Sequence, residues 1–290
     1  MKSDKTETIN YDGILNNAVL SSEVIGLGLE QFTLDLELLY ENTKQIDSFN
    51  KRWEGFFNSD SSNKDIMKRE RNKIIYLSES VISEVKDNRP PAVFVFGNPA
   101  PHSIKAGTPC ASEGIGSEHR IWKVLKREGI LDFNFVNSED INHQRKHALH
   151  SGNYVSPYRI GILQYFSMSS TPSAQPWAGV SGLVKLFGSK AIKVIEKYEI
   201  KRIQNIVNKF FGSNNGLIIT FQKDAYNGLI NQNADPYSSS KIRNSTVEVS
   251  SKFGDKIKVV CAPPTRLIYS KSTSRTLKYV KDYYDENHSQ

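Results

Sequence analysis

The 290 residues are 38% apolar and 24% charged, with a mean hydropathy of -0.47. No apolar run approaches the ~18 residues that a helical membrane span needs, so the composition fits a soluble α/β unit with an appendage. Net charge is +7 and uneven: residues 1–90 hold 12 Lys and Arg against 16 Asp and Glu, the remainder 26 against 15, so a polyanion partner is expected for the latter part.

The polar start, MKSDKTETIN, has no apolar h-region, so a secretory signal is not expected and the cytoplasm is the expected compartment. Cys110 and Cys261 are the two cysteines, which argues against a disulfide framework and against four-cysteine zinc or iron–sulfur sites. Residues 1–88 read as a helical N-terminal extension. From Leu29 to Phe57, Leu34, Leu38 and Leu39 recur at turn spacing, and Asn58 to Asn63 form a loop whose Ser and Asn residues cap the next helix. Ile74, Leu77, Val81 and Val85, with Ile75 and Ile82 beside them, predict that second helix, which ends at Asn88-Arg89-Pro90-Pro91.

Residues 89–290 carry the α/β pattern. Ala92 to Phe96 is an unbroken apolar, β-rich run, as in a strand buried on both faces. Gly97 ends it, and Pro99 biases Asn98 toward extended backbone, fixing a polar amide at a strand end. Residues 104–116 are Gly-rich and without apolar periodicity. Ser117 then caps a helix that buries Ile121, Trp122 and Leu125 and stops at Gly129, and 133–136 form a short extra strand. In 140–150, His143 and His147 stand at i, i+4 with His150 and Asp140 nearby. Arg145 and Lys146 intervene and the spacing matches no metal motif, so an exposed basic or phosphate-facing segment is the preferred reading.

Arg159 to Ser167 is the second strand, followed by a polar loop to Trp177 and two helices, one with Leu183, Val184 and Phe187, the other with Ile203, Ile206, Val207, Phe210 and Phe211 up to Gly212. Leu217 to Phe221 is the third strand, 231–244 a surface excursion, and Lys256 to Cys261 the fourth strand. A last helix carries Leu277 and Val280. Strands alternating with helices predict a three-layer αβα sandwich around a short, mostly parallel four-stranded sheet. Parallel strands bring the loops at 97–103, 167–177 and 262–275 to one sheet edge, where such folds bind ligands.

Phe96-Gly97-Asn98-Pro99 and the loop Pro263-Pro264-Thr265-Arg266 resemble the first and last motifs of the uracil-DNA glycosylase superfamily, and Ser169-Ser170-Thr171-Pro172 is similar to a loop of its mismatch-specific branch. The resemblance spans about residues 90–285. It implies hydrolysis of an N-glycosidic bond in double- or single-stranded DNA after base flipping, with no cofactor and no metal. It puts Asn98 on the water-orienting residue, with His102 and Thr265 as further catalytic candidates. It makes Gly97, Pro99, Cys110, Tyr165, Phe166 and Ser167 the base pocket. Cys110 lies near the slot of the aromatic that stacks on the base, and no Asn for base reading stands at the second strand. DNA contacts fall to Ser103, Lys105, Ser170, Thr171, Ser270, Lys271, Ser272 and Arg275, with Arg266 or Leu267 as the wedge. The alternatives are a catalytically silent nucleic-acid binder on the same fold and an enzyme acting on free nucleosides or nucleotides.

Overall fold

The computed structural model describes residues 18–83, 85, 87–112, 118–134 and 140–288. It opens with a hairpin of β1 (Leu20–Gly26) and β2 (Leu29–Asp35), turned at Gly28 with φ +67°. The Asp35 carboxylate accepts from the Glu37 and Leu38 amides and starts a single turn, α1 (Leu36–Leu39). Asn42 caps α2 (Thr43–Phe57), and the short α3 (Asn63–Ile66) leads into β3 (Met67–Glu70) and β4 (Lys73–Glu79). These four strands form an antiparallel sheet in the order β1-β2-β4-β3.

The helical reading of the N-terminal part is therefore corrected twice: residues 29–35 are a strand, and so is most of 74–82. Residues 74–77 are apolar at every position, so they satisfy both helical and strand spacing. The buried set is Ile74, Tyr76 and Ser78, which has period two. Arg71, at φ 54°, closes the tight turn between β3 and β4, and β4 pairs with β2 along its whole length, from Asp35 opposite Lys73 to Leu29 opposite Glu79.

Only Ser80 separates β4 from β5 (Val81–Ile82), which belongs to the second sheet. There follow β6 (Pro91–Phe96), α4 (Pro101–Ala106), α5 (Arg120–Arg127), α6 (Ile141–Ser151) and β7 (Arg159–Gln164). After them come α7 (Gly179–Phe187), α8 (Ser189–Phe211), β8 (Gly216–Thr220), α9 (Lys223–Leu229) and α10 (Ser239–Asn244). The chain closes with β9 (Glu248–Ser251), β10 (Gly254–Cys261), a 3-10 turn at Thr265–Leu267 and α11 (Lys271–His288). The supposed loop after Asn98 thus begins as helix, with Pro101 at the first position of α4. The cap expected at Ser117 lies outside the described residues, and His119 accepts from the Ile121 amide where α5 begins. Of the strand expected at 133–136, residues 135 and 136 lie outside the description, and Phe133 and Asn134 are not in a strand.

All four expected parallel strands are present, and two antiparallel edges make the sheet six-stranded, β5-β7-β6-β8-β10-β9. Alternate residues feed two cores. Val93, Val95, Leu163, Ile218 and Val259 pack with Leu183, Ile203 and Val207 of α7 and α8, and with Phe32, Leu34 and Tyr76 of the antiparallel sheet. Ala92, Phe94, Ile160, Ile162, Leu217, Ile219 and Val260 pack with Ile121, Trp122 and Leu125 of α5 and with Leu277 and Val280 of α11. Burial on both faces is why these strands read as unbroken apolar runs. The first core takes in both sheets. Within it α7 passes close beneath the preceding loop: a Cβ on Gly182 would lie 2.0 Å from the Trp177 carbonyl oxygen. Gly182→Ala is expected to cost about 1–3 kcal/mol in urea unfolding, because backbone rather than a side-chain tip must move.

Candidate functional site

From β6 the chain moves to β7 on one side, then crosses back to β8 on the other. The carboxyl ends of β6 and β8 therefore flank a topological switch point, where α/β sheets open a crevice. A cleft of about 1180 Å³ lies there. Its walls come from the loops after β6, β8 and β10, the start of α7, and residues 118–120 at the start of α5.

Gly97 is glycine for close approach: a Cβ would meet Gln222 Cγ at 3.2 Å and Val180 Cγ2 at 3.3 Å. Asn98 follows, half-buried on the cleft wall. Its amide nitrogen donates to Ser170 Oγ at 2.8 Å, with longer contacts of 3.4 Å to the Pro99 and Met168 carbonyls. Ser170 Oγ donates in turn to the Gly179 carbonyl at 3.0 Å. This anchoring fixes the amide orientation, and among the described residues no protein group donates to the Asn98 carbonyl oxygen. Gly97, Pro99, His102, Ser103, Cys110, Thr265 and Arg266 line the same cleft. Ser103 is buried there, its Oγ accepting from the Ala111 amide at 3.2 Å. Cys110 stands at φ 52° and its carbonyl accepts from Trp122 Nε1. Burial, then the neighbouring Glu79, pushes its thiol far above the ordinary range.

The remaining sequence candidates lie elsewhere. Tyr165, Phe166 and Ser167 turn into the core beside the cleft rather than lining it. Tyr165 donates to Glu196 at 2.6 Å, and Ser167 donates to Glu199 through N at 2.6 Å and Oγ at 2.5 Å. Ser170 and Thr171 are buried struts of the loop that holds Asn98. Lys105 pairs with Asp65 at the surface, 2.6 Å away. Ser270 Oγ accepts from the Thr273 amide at the start of α11, Ser272 donates to the Arg243 carbonyl and Arg275 to the Ile242 carbonyl. Leu267, Tyr269 and Lys271 are exposed.

The 140–150 segment forms α6, but its Arg145 is not an exposed basic residue. It is buried between Trp122 and Phe133 and paired with Glu118 at 2.9 Å. An arginine fork stacks between aromatic faces where a solvated lysine would not, so burial and pairing outweigh the surface reading. The His143 and His147 rings lie with centroids 4.3 Å apart, tilted by 53°, and burial holds His150 down at about 4. Among the described residues no three His, Cys, Asp or Glu side chains converge on a metal position.

The cleft residues that sequence reasoning missed include Glu79, the last residue of β4, and Gln164, the last of β7. Gln164 is a polar residue ending the apolar run RIGIL, a visible signal. Glu79 was hidden by the helical reading of its segment. Among the described residues no helix is long and apolar enough to cross a membrane. Comparison of the chain with protein-family models finds no match, and comparison with curated proteins finds none.

Proposed function

We propose that this chain hydrolyses the N-glycosidic bond of a nucleotide extruded from DNA, releasing uracil or a related mismatched or damaged base, on an αβα sandwich of the uracil-DNA glycosylase type. The observation that carries the reading is the position of Asn98. It stands on the wall of a cleft at the switch point, its amide nitrogen anchored and its carbonyl oxygen left to accept from a water. A carboxamide orients water without taking its proton, so the reaction depends on a good leaving group. His102, on the same wall, serves the departing base, and Thr265 the adjoining phosphate. Arg266 faces the cleft from the 3-10 turn, and Leu267 beside it is 48% exposed, a geometry suited to filling the space of a flipped base.

The test is abasic-site formation, read by alkali cleavage, on labelled oligonucleotides with uracil opposite guanine, opposite adenine and in a single strand. Cleavage of at least one is expected. No cleavage of any, with DNA binding retained, would replace hydrolysis by silent binding. Arg120, Lys223 and Arg266 line the cleft, and Lys271 follows Arg266 by five residues, which sets a second expectation. The log–log slope of DNA affinity against salt should be roughly −3 to −4, whereas an enzyme gripping one phosphate gives about −1.

A further inference from the structure

Glu79 and Gln164 reach the floor of the cleft from two different sheets. Both side chains are almost wholly buried, and Gln164 Nε2 donates to Glu79 Oε1 at 3.3 Å. Glu79 Oε2 and the Gln164 amide oxygen, Oε1, are buried without a hydrogen-bond partner. Buried polar atoms in native proteins are almost always paired, so two orphans on the floor of a large cleft point to a ligand that pairs them.

The surroundings decide the protonation of the pair. Burial pushes the Glu79 carboxyl up to about 8, opposed by the Gln164 hydrogen bond. The Cys110 thiol beside it is held neutral by burial. The Glu30 carboxylate is engaged by Ser80, and His150, against Gly28 near Ser80, is held neutral. Arg202 reaches the Gln164 carbonyl, but its charge is matched by Glu199. A neutral Glu79, already accepting at Oε1, donates from Oε2; Gln164 Oε1 accepts.

We propose that Glu79 and Gln164 clamp the edge of a planar heterocycle that presents a hydrogen-bond acceptor next to an N–H, as the pairing edge of a nucleobase does. This rests on the base-pocket reading of the cleft and deepens it, because it names the residues that choose the base. A keto base offers its carbonyl to Glu79 and its ring N–H to Gln164. An amino base offers its ring nitrogen to Glu79 and its amino N–H to Gln164. Ionised Glu79 loses the donor, so the clamp opens as pH rises through about 8.

The experiment titrates free uracil, hypoxanthine, cytosine and adenine, at millimolar concentration, into the full chain by calorimetry between about pH 6 and about pH 9. The keto and amino pairs distinguish the two edge orders, and 1,3-dimethyluracil, which has no N–H, is the control. At least one base should bind about tenfold or more tightly than dimethyluracil, with affinity falling about tenfold per pH unit above the Glu79 midpoint. Glu79→Gln keeps a donor that cannot ionise, so its profile should report only the titration of the base itself. Glu79→Leu should weaken binding about tenfold or more.

Thermal denaturation separates these effects from misfolding. Folded Glu79 stays protonated to about 8 while an ordinary glutamate ionises near 4.5, so wild-type stability should fall as pH rises between them, and Glu79→Gln should flatten that slope. Absence of binding by all four bases, equal affinity for dimethyluracil, or an unchanged pH profile in Glu79→Gln would overturn the clamp. Hydrolysis is decided separately: abasic-site formation without free-base discrimination removes the clamp alone, and discrimination without abasic sites removes the hydrolysis alone.

Discussion

Asn98→Ala is expected to lower abasic-site formation by about 10²–10³-fold, with DNA affinity nearly unchanged. In the proposed reaction the side chain supplies the acceptor for the attacking water, and its own N–H bond to Ser170 holds that acceptor in place. Alanine removes both. The structural cost is small, about 1 kcal/mol, because Ser170 keeps its bond to the Gly179 carbonyl and the loop keeps the Ser170 N–H bond to the Pro99 carbonyl. Asn98→Asp separates chemistry from support. A carboxylate retains the acceptor and can also take the proton of the water, so activity should return to wild-type level or above. Single-turnover cleavage of the best oligonucleotide, with anisotropy for affinity, reads both variants. Undiminished cleavage by Asn98→Ala would take Asn98 out of the reaction.

Glu199→Ala is expected to lower the unfolding free energy by about 3–5 kcal/mol, the largest stability loss predicted for the chain. Glu199 is fully buried on α8 and accepts from Ser167 N, from Ser167 Oγ and from Arg202 Nε at 2.8 Å. Tyr76 shares the Ser167 hydroxyl at 2.8 Å, and the Arg202 guanidinium stands over Phe32, 5.6 Å from the ring centroid. One carboxylate thus organises contacts from α8, the loop after β7 and the antiparallel sheet. Removing it leaves Arg202 charged in a buried place, which costs more than the lost bonds. Glu199→Leu combined with Arg202→Leu should recover much of the loss, since an apolar pair leaves no unmatched charge. Urea unfolding of both variants checks this. A double variant as unstable as Glu199→Ala would show that the Ser167 and Gln164 contacts, rather than the charge, carry the energy.

The main sheet was legible because its strands are buried on both faces, so Ala92 to Phe96 and Leu217 to Phe221 declare themselves by apolar continuity alone. The loop edge followed from strand direction, since parallel strands put Asn98 and Thr265 at the same end. The antiparallel sheet was not legible, because Ile74 to Leu77 satisfy two periods and the tight turn before them contains Arg71 rather than glycine. Strand pairing with β2 settles the matter, and pairing is a non-local fact. The loss of Tyr165, Phe166 and Ser167 from the cleft has the same origin. The family resemblance put them in a base pocket, but Glu196 and Glu199, 31 and 32 residues away, draw the hydroxyls of Tyr165 and Ser167 inward.

With a single residue, Ser80, between β4 and β5, the two sheets are joined without slack. A displacement of the antiparallel sheet must therefore carry Glu79 with it, whereas Asn98 and Arg266 reach the cleft from segments that follow strands of the other sheet. The cleft is thus a vessel whose base is shared between two sheets and whose rim belongs to one.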